Sequence, residues 1–145
     1  MIRVLLVDDH PVVLEGLADI LSRDPDIRVV GEASSAASAL RRLTRCDPHV
    51  VSLDVRLSGM SGLDLCSRLA RTHPGLRIIA LDGGGGDRAV LDAFGAGAHG
   101  FLQKGSSPGL LREAVRAVAT GGTFIDPMVA GALVAMATGN PSSGS

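Results

Sequence analysis

Residues 2–7 read Ile2-Arg3-Val4-Leu5-Leu6-Val7, and Asp8-Asp9-His10-Pro11 follows without a break. A run of strand length with almost no polar face suits a parallel strand buried between two layers of helix. The acid pair ends the run, and Pro11 suits the first turn of a helix, where its missing N–H costs nothing. Val13, Leu17, Ile20 and Leu21 then fall at helical spacing.

The same unit recurs along the chain. Ile27 to Val30, Val50 to Leu53, Leu76 to Leu81 and Phe101-Leu102 read as strands, most of them fully buried. Ala36 to Leu43, Leu63 to Leu69, Arg88 to Phe94 and Leu110 to Ala119 read as helices. Five β-α alternations with short connections predict an α/β fold, a five-stranded doubly wound parallel sheet with helices on both faces. A chain of 145 residues can bury about two-thirds of its unfolded surface in one such domain, without a disulfide or metal staple.

Residues 1–120 are assigned to that domain. After Gly121-Gly122, Asp126 and Pro127 have the character of an N-cap and a first helical residue, which predicts an additional C-terminal helix over about 127–137 in a segment 121–138. Val129, Leu133 and Met136 lie along it at i, i+4 and i+7, a stripe suited to packing on its own domain with some role in a dimer. Residues 139–145 read as a linker or chain end.

Composition narrows the function. Fourteen basic and 15 acidic residues leave a net charge of −1, with no basic face for phosphate-backbone binding by this chain alone. Thirteen of the basic residues are arginines, and the single lysine is Lys104. Cys46 and Cys66 form no metal-binding spacing or disulfide framework, which predicts a reducing compartment and thiols in the core or on a helix face. The apolar start is too short for a secretory signal, and the apolar stretch from Met128 to Thr138 is below the roughly 18 residues of a membrane span. A cytoplasmic protein with no membrane segment is expected.

In an open parallel sheet, ligands bind outside the carboxyl ends of the strands beside the point where strand order reverses. The residues at those ends are Asp8, Asp9, Asp54, Asp82 and Lys104. Clustered carboxylates repel one another, so such a rim calls for a divalent cation or the ammonium group. Oxygen ligands in an incomplete cage suit Mg²⁺, which shares its coordination with phosphate. The set predicts phosphoryl chemistry, with one carboxylate as nucleophile and Lys104 pairing with a phosphoryl oxygen.

Other motifs are weaker. Gly95-Ala96-Gly97-Ala98-His99-Gly100 matches GxGxxG in letters but runs from helix to strand, the reverse of a dinucleotide fingerprint. Gly83-Gly84-Gly85-Gly86 lacks the ending of a P-loop, and four consecutive glycines predict a flexible loop before the fourth helix. His10, His49, His73 and His99 share no ligand spacing and read as surface or turn residues.

Val7-Asp8-Asp9-His10, then Leu53-Asp54-Val55-Arg56-Leu57 with Gly62 downstream, then Gly97-Ala98-His99-Gly100-Phe101-Leu102-Gln103-Lys104 resemble the receiver domain of two-component response regulators. His10-Pro11 and the tail Gly122-Thr123-Phe124-Ile125-Asp126-Pro127 are most similar to the NarL/FixJ branch. The likeness spans about residues 1–130 and is specific as a set.

The resemblance implies a flavodoxin-like, CheY-like receiver in which Asp54 accepts a phosphoryl group from a sensor histidine kinase. It implies Mg²⁺ held by Asp9, Asp54 and the backbone carbonyl of Arg56, with Asp8 acting through water, and Lys104 holding the phosphoryl group. Phe101 stands where the branch has its aromatic switch residue. The family usually continues into a LuxR-type helix-turn-helix that binds DNA. No such element occurs in this chain, so DNA contact would come only through a further domain, with homodimerisation expected.

The chain departs from the family at the end of strand four. The family has Thr or Ser there, whose hydroxyl bonds the phosphoryl oxygen; this chain has Asp82, with no Ser or Thr between Thr72 and Ser106. A carboxylate only accepts hydrogen bonds, and two like charges about 4 Å apart repel by about 4 kcal/mol at an effective dielectric of 20. Weak or absent phospho-switching is expected, with Asp82 paired to Lys104 or drawn into the metal site. Ser58 stands in place of the usual proline, freeing the loop that carries the Arg56 carbonyl, and Ser61 in place of a frequent acid.

Two other functions compete. A pseudo-receiver would act as a phosphorylation-independent dimerisation, interaction or ligand-sensing module. A haloacid-dehalogenase-type phosphatase would need an acid two residues after the nucleophile, where this chain has Arg56.

Overall fold

The structure, a computed structural model, describes residues 1–84 and 87–138. Its elements alternate as β1 (Ile2–Val7), α1 (Pro11–Ser22), β2 (Ile27–Ala33), α2 (Ala36–Cys46), β3 (Val50–Asp54), α3 (Gly62–Thr72), β4 (Arg77–Asp82), α4 (Asp87–Gly95), β5 (Gly100–Gln103), α5 (Pro108–Ala119), β6 (Phe124–Ile125) and α6 (Pro127–Ala137). The strands form one sheet in the order β2-β1-β3-β4-β5-β6, and every neighbouring pair is parallel. Strand order reverses between β1 and β3, which opens the crevice at the carboxyl ends of those two strands.

Alternation along each strand divides the core between two faces. Leu5, Val7, Ile78 and Ala80 pack with α2, α3 and α4 through Leu43, Leu65, Leu69 and Val90. Val4, Leu6, Ile79 and Leu81 pack with α1 and α5 through Leu14, Leu21, Leu111 and Val115. Cys66 lies wholly inside the first core, and burial pushes its thiol up to about 11, the state of an inert apolar filler. Cys46 is half-buried and its Sγ donates to the Val30 carbonyl at 3.3 Å.

Two details depart from the sequence reading. The sheet has a sixth strand, Phe124–Ile125, paired with Gly100 and Phe101. β2 is an edge strand with several partly exposed residues, and its pairing with β1 slips at Val4/Leu5 so that Val30 is bulged out. On α6 the expected packing on its own domain holds for two residues of the stripe: Val129 joins the core and Leu133 packs against it, while Met128 and Val134 face outward at 80% and 61% exposure.

The glycine run after β4 is read from sequence as one flexible loop. Gly83 and Gly84, its described part, form an exposed bend that leaves the strand directly. Gly84 takes φ +147°, a conformation that L side chains rarely adopt, with no neighbour within 4 Å of where a Cβ would stand. Backbone geometry, not crowding, is therefore what calls for glycine at Gly84. Gly85, Gly86 and residues 139–145, with the rest of that loop and the linker read from them, lie outside the described residues, as does the side chain of Met136.

No helix among the described residues is long and apolar enough to cross a membrane.

Candidate functional site

β1 and β3 lie side by side, with Val7 opposite Leu53, so Asp8 and Asp54 leave the sheet together. Both are buried, at 0% and 2% exposure. The backbone N–H groups two residues on, of His10 and Arg56, donate to Asp8 Oδ1 at 2.9 Å and Asp54 Oδ1 at 3.0 Å. These turns fix both carboxylates against the strand ends. The start of α3 closes over the same place: Gly62 donates its N–H to the Val55 carbonyl at 3.0 Å, and a Cβ on Gly62 would lie 1.9 Å from the Asp54 carbonyl oxygen. Glycine is required there because the helix end meets the strand backbone.

Lys104 reaches this pair from the turn after β5. Its Nζ lies 2.8 Å from Asp8 Oδ2 and 2.8 Å from Asp54 Oδ2. Burial alone would lower the ammonium pKa, but the two carboxylates outweigh it and hold the group above its ordinary value. One cation thus offsets two buried anions.

Asp9 completes the acidic cluster. One oxygen each from Asp8, Asp9 and Asp54, with a ring nitrogen of His10, all lie within 4.8 Å of one another. Asp9 Oδ1 is buried with His10 Nδ1 3.0 Å away, and Oδ2 accepts from Ser58 Oγ at 2.9 Å. Three carboxylates meeting at one point are a donor set that fits a hard divalent cation such as Mg²⁺.

His10 is the surface residue that the sequence suggests, and it also belongs to this cluster. Although mostly exposed, it places Nδ1 2.9 Å from Asp8 Oδ1 and 3.0 Å from Asp9 Oδ1. The available sequence signal is adjacency: a residue next to two acids turns back on them because its own N–H is already tied to Asp8. Of the other histidines, His49 Nδ1 accepts the Arg3 N–H and His99 Nδ1 accepts the Ile78 N–H, both at 3.0 Å. These bonds are structural, at the opposite rim of the sheet.

Asp82 is placed otherwise than expected. It ends β4, buried at 2% exposure, and the Lys104 N–H donates to its backbone carbonyl at 2.7 Å. The two side chains nevertheless part: the carboxylates paired with Lys104 are Asp8 and Asp54, and the guanidinium of Arg56 stands 3.9 Å from Asp82 Oδ1. Asp82 is also outside the candidate cation cluster. The physical reason is reach: the ammonium meets two carboxylates at the β1/β3 crevice, whereas Arg56, following Asp54, extends over the β4 end. Phe101 is wholly buried in the core on the α4 side of the sheet.

Two serines noted as departures have definite partners. Ser58 holds Asp9, and Ser61 Oγ caps α3 by accepting the Asp64 N–H at 3.1 Å.

A buried carboxylate that the sequence suggested only as a helix cap, Asp126, lies beside the Lys104 turn. It caps α6 through the Met128 N–H at 2.9 Å. It also accepts from the Gln103 N–H at 3.0 Å and Ser106 Oγ at 2.6 Å. Burial would raise its pKa, and the hydrogen bonds from Ser106, Gln103 and Met128 more than reverse this, leaving it below the usual carboxylate value.

Comparison with known proteins agrees with this geometry. The profile of the response regulator receiver domain matches residues 4–116. The DNA-binding transcriptional activator DevR/DosR of Mycobacterium tuberculosis is 43% identical over 139 residues, covering 96% of this chain and 64% of that protein. The nitrate/nitrite response regulator protein NarP of Escherichia coli is 41% identical over 119 residues, 82% of this chain and 55% of that protein. The chain thus spans less than two-thirds of the length of these two relatives. Among solved structures, a LuxR-family two-component response regulator from Aurantimonas sp. superposes with a TM-score of 0.89 at 32% identity, covering 94% of this chain and 97% of that one. The isolated receiver domain of RcsB from Salmonella enterica serovar Typhimurium, solved with phosphomimetic BeF₃⁻, gives 0.84 at 27% identity, over 91% and 98% of the two chains. Sequence, topology and the acid-lysine rim concur: the chain belongs to the receiver domain family of response regulators, in its NarL/LuxR branch.

Proposed function

We propose that Asp54 accepts a phosphoryl group from the phosphohistidine of a sensor histidine kinase. The observation that carries this reading is the Lys104 ammonium bridging Asp54 and Asp8 at 2.8 Å in the β1/β3 crevice. A carboxylate oxygen of Asp54 attacks phosphorus, the phosphorus–nitrogen bond breaks, and the histidine nitrogen leaves with the bonding pair. Asp9, Asp54 and the Arg56 carbonyl would hold Mg²⁺, with Asp8 acting through water; bound there, the ion offsets charge on the phosphoryl oxygens. Lys104 then exchanges a carboxylate for a phosphoryl oxygen, while Asp8 keeps it oriented.

Asp82 sets the limit on the switch. It offers no hydroxyl to the phosphoryl group and adds a buried negative charge, offset in part by Arg56. The phosphorylated state is therefore short-lived compared with that of a receiver bearing Thr at the same place. In the full-length protein the phosphorylated domain would control a DNA-binding transcription-regulator output, acting as a homodimer.

Acetyl phosphate with Mg²⁺ tests the assignment. Intact-mass measurement should show one added phosphoryl group on the native chain, lost on chelation of Mg²⁺ and absent in Asp54→Asn. An unlabelled native chain, or a labelled Asp54→Asn variant, contradicts it.

A further inference from the structure

Asp126 stands where two parts of the fold meet. β6 ends at Ile125, and the Asp126 N–H still pairs with the Phe101 carbonyl at 2.9 Å. Gln103, two residues further along β5, is then met by the Asp126 side chain: Oδ2 accepts its N–H at 3.0 Å. A carboxylate thus continues a ladder that the backbone has left.

Ser106 Oγ closes the turn from the other side, 2.6 Å from the same oxygen and 2.7 Å from the Gln103 carbonyl. Its single proton can serve one acceptor at a time, and the ionised carboxylate is the stronger. Lys104 and Gly105 lie between the two residues so held, and Asp126 is wholly buried. Oδ1 of the same group caps α6 at Met128, and the next residue, Val129, is buried in the core.

We propose that Asp126 is a positioning residue that clasps the Lys104 turn to the start of α6, so that occupancy of the Asp54 site is carried into α6. The phosphoryl arm of this proposal rests on the function proposed above. When Lys104 follows a phosphoryl oxygen, Gln103 and Ser106 are drawn with it, and the carboxylate they share shifts the first turn of α6. In the resting state the same clasp holds the ammonium within reach of Asp54.

Hydrogen–deuterium exchange on the whole chain tests this with Asp126→Ser. A serine retains an oxygen to cap Met128 but is too short to reach Gln103 and Ser106. Without a phosphoryl donor, the variant should exchange the Gln103 amide at least about tenfold faster, with the α6 amides within about twofold of the native rate. An unchanged Gln103 amide overturns the clasp, whether or not the chain takes phosphate.

With acetyl phosphate and Mg²⁺, the native chain should change exchange at both 103–106 and 128–133, and Asp126→Ser at 103–106 alone. A native α6 that stays unchanged while mass measurement shows Asp54 labelled overturns the coupling, as does a variant α6 that responds like the native one. If the native chain takes no label, the function proposed above fails and the coupling with it, while the donor-free comparison still decides the clasp. Should Asp126→Ser fail to fold, Ser106→Ala removes one arm and should weaken the α6 response without abolishing it; an undiminished response contradicts the proposal.

Discussion

The turn after β5 and the connection after β4 leave the same rim one strand apart, and they hold charge in different ways. After β5, the ammonium of Lys104 meets two carboxylates at 2.8 Å, and Asp126 ties the turn to α6. After β4, Asp82 brings a buried carboxylate that has Arg56 among its partners, mostly exposed and 3.9 Å away. The proposed phosphoryl transfer calls for a cation on the first side and a hydroxyl donor on the second. One side is set before any phosphate arrives, and the other carries the wrong group for it. A signal from Asp54 should therefore leave by way of β5 more readily than by way of β4.

Breaking the first side should have the largest effect. Lys104→Met leaves Asp8 and Asp54 buried without their cation, which costs about 3 kcal/mol of stability in chelator at pH 7 by urea denaturation. Added Mg²⁺ should restore part of that loss, and phosphorylation by acetyl phosphate should fall about 100-fold. Next is the contact of α3 with the Asp54 backbone. Gly62→Ala forces the α3 start away from the Asp54 backbone, and should cost about 2 kcal/mol with a matching loss of labelling rate.

Repairing the second side sharpens the contrast. Asp82→Thr replaces a repelling charge with a donor and should lengthen the lifetime of the label about tenfold, equivalent to about 1.4 kcal/mol. A gel-shift decay series measures it; equal lifetimes would show that the β4 side was never limiting.

The smallest effect is on acid stability. Asp126 is held below the usual carboxyl value of 3.8 because the Ser106, Gln103 and Met128 bonds outweigh burial. Asp24 is lowered first by the Asp26 N–H and, against burial, by Arg116, whose guanidinium meets it at 2.6 Å. A group with a depressed folded pKa adds stability above its unfolded value and loses it as pH falls through the folded one. Thermal midpoints should drop below about pH 4, and Asp126→Asn should flatten that limb while leaving the Asp24 share in place.

Much of the architecture is legible in the sequence because burial writes itself into composition. The apolar run Ile2–Val7 coincides with the observed strand, and every β-α unit stands where periodicity puts it. Asp8, Asp9, Asp54 and Lys104 can be brought to one rim since parallel topology fixes which strand ends face the crevice. β6 escapes such a reading because two residues carry no periodicity; a pairing partner, not local pattern, makes them a strand. A glycine run says only that many backbone conformations are open, so the bend that Gly84 takes at φ +147° has no signature of its own. The roles of His10, Ser58 and Asp126 depend on side-chain direction at turns, which spacing does not encode. Asp82 stands out as a departure, but its expected pairing with Lys104 fails because Lys104 has two nearer carboxylates to choose from.

The assignment of Asp54 is tested most directly by locating the phosphoryl group itself. Borohydride reduces an aspartyl phosphate to homoserine, so chains treated with acetyl phosphate and Mg²⁺, then reduced and digested, report the modified position by peptide mass. Homoserine at position 54 and at no other aspartate is the expected result. Homoserine at Asp8, Asp9 or Asp82, or at none of them, would contradict the account.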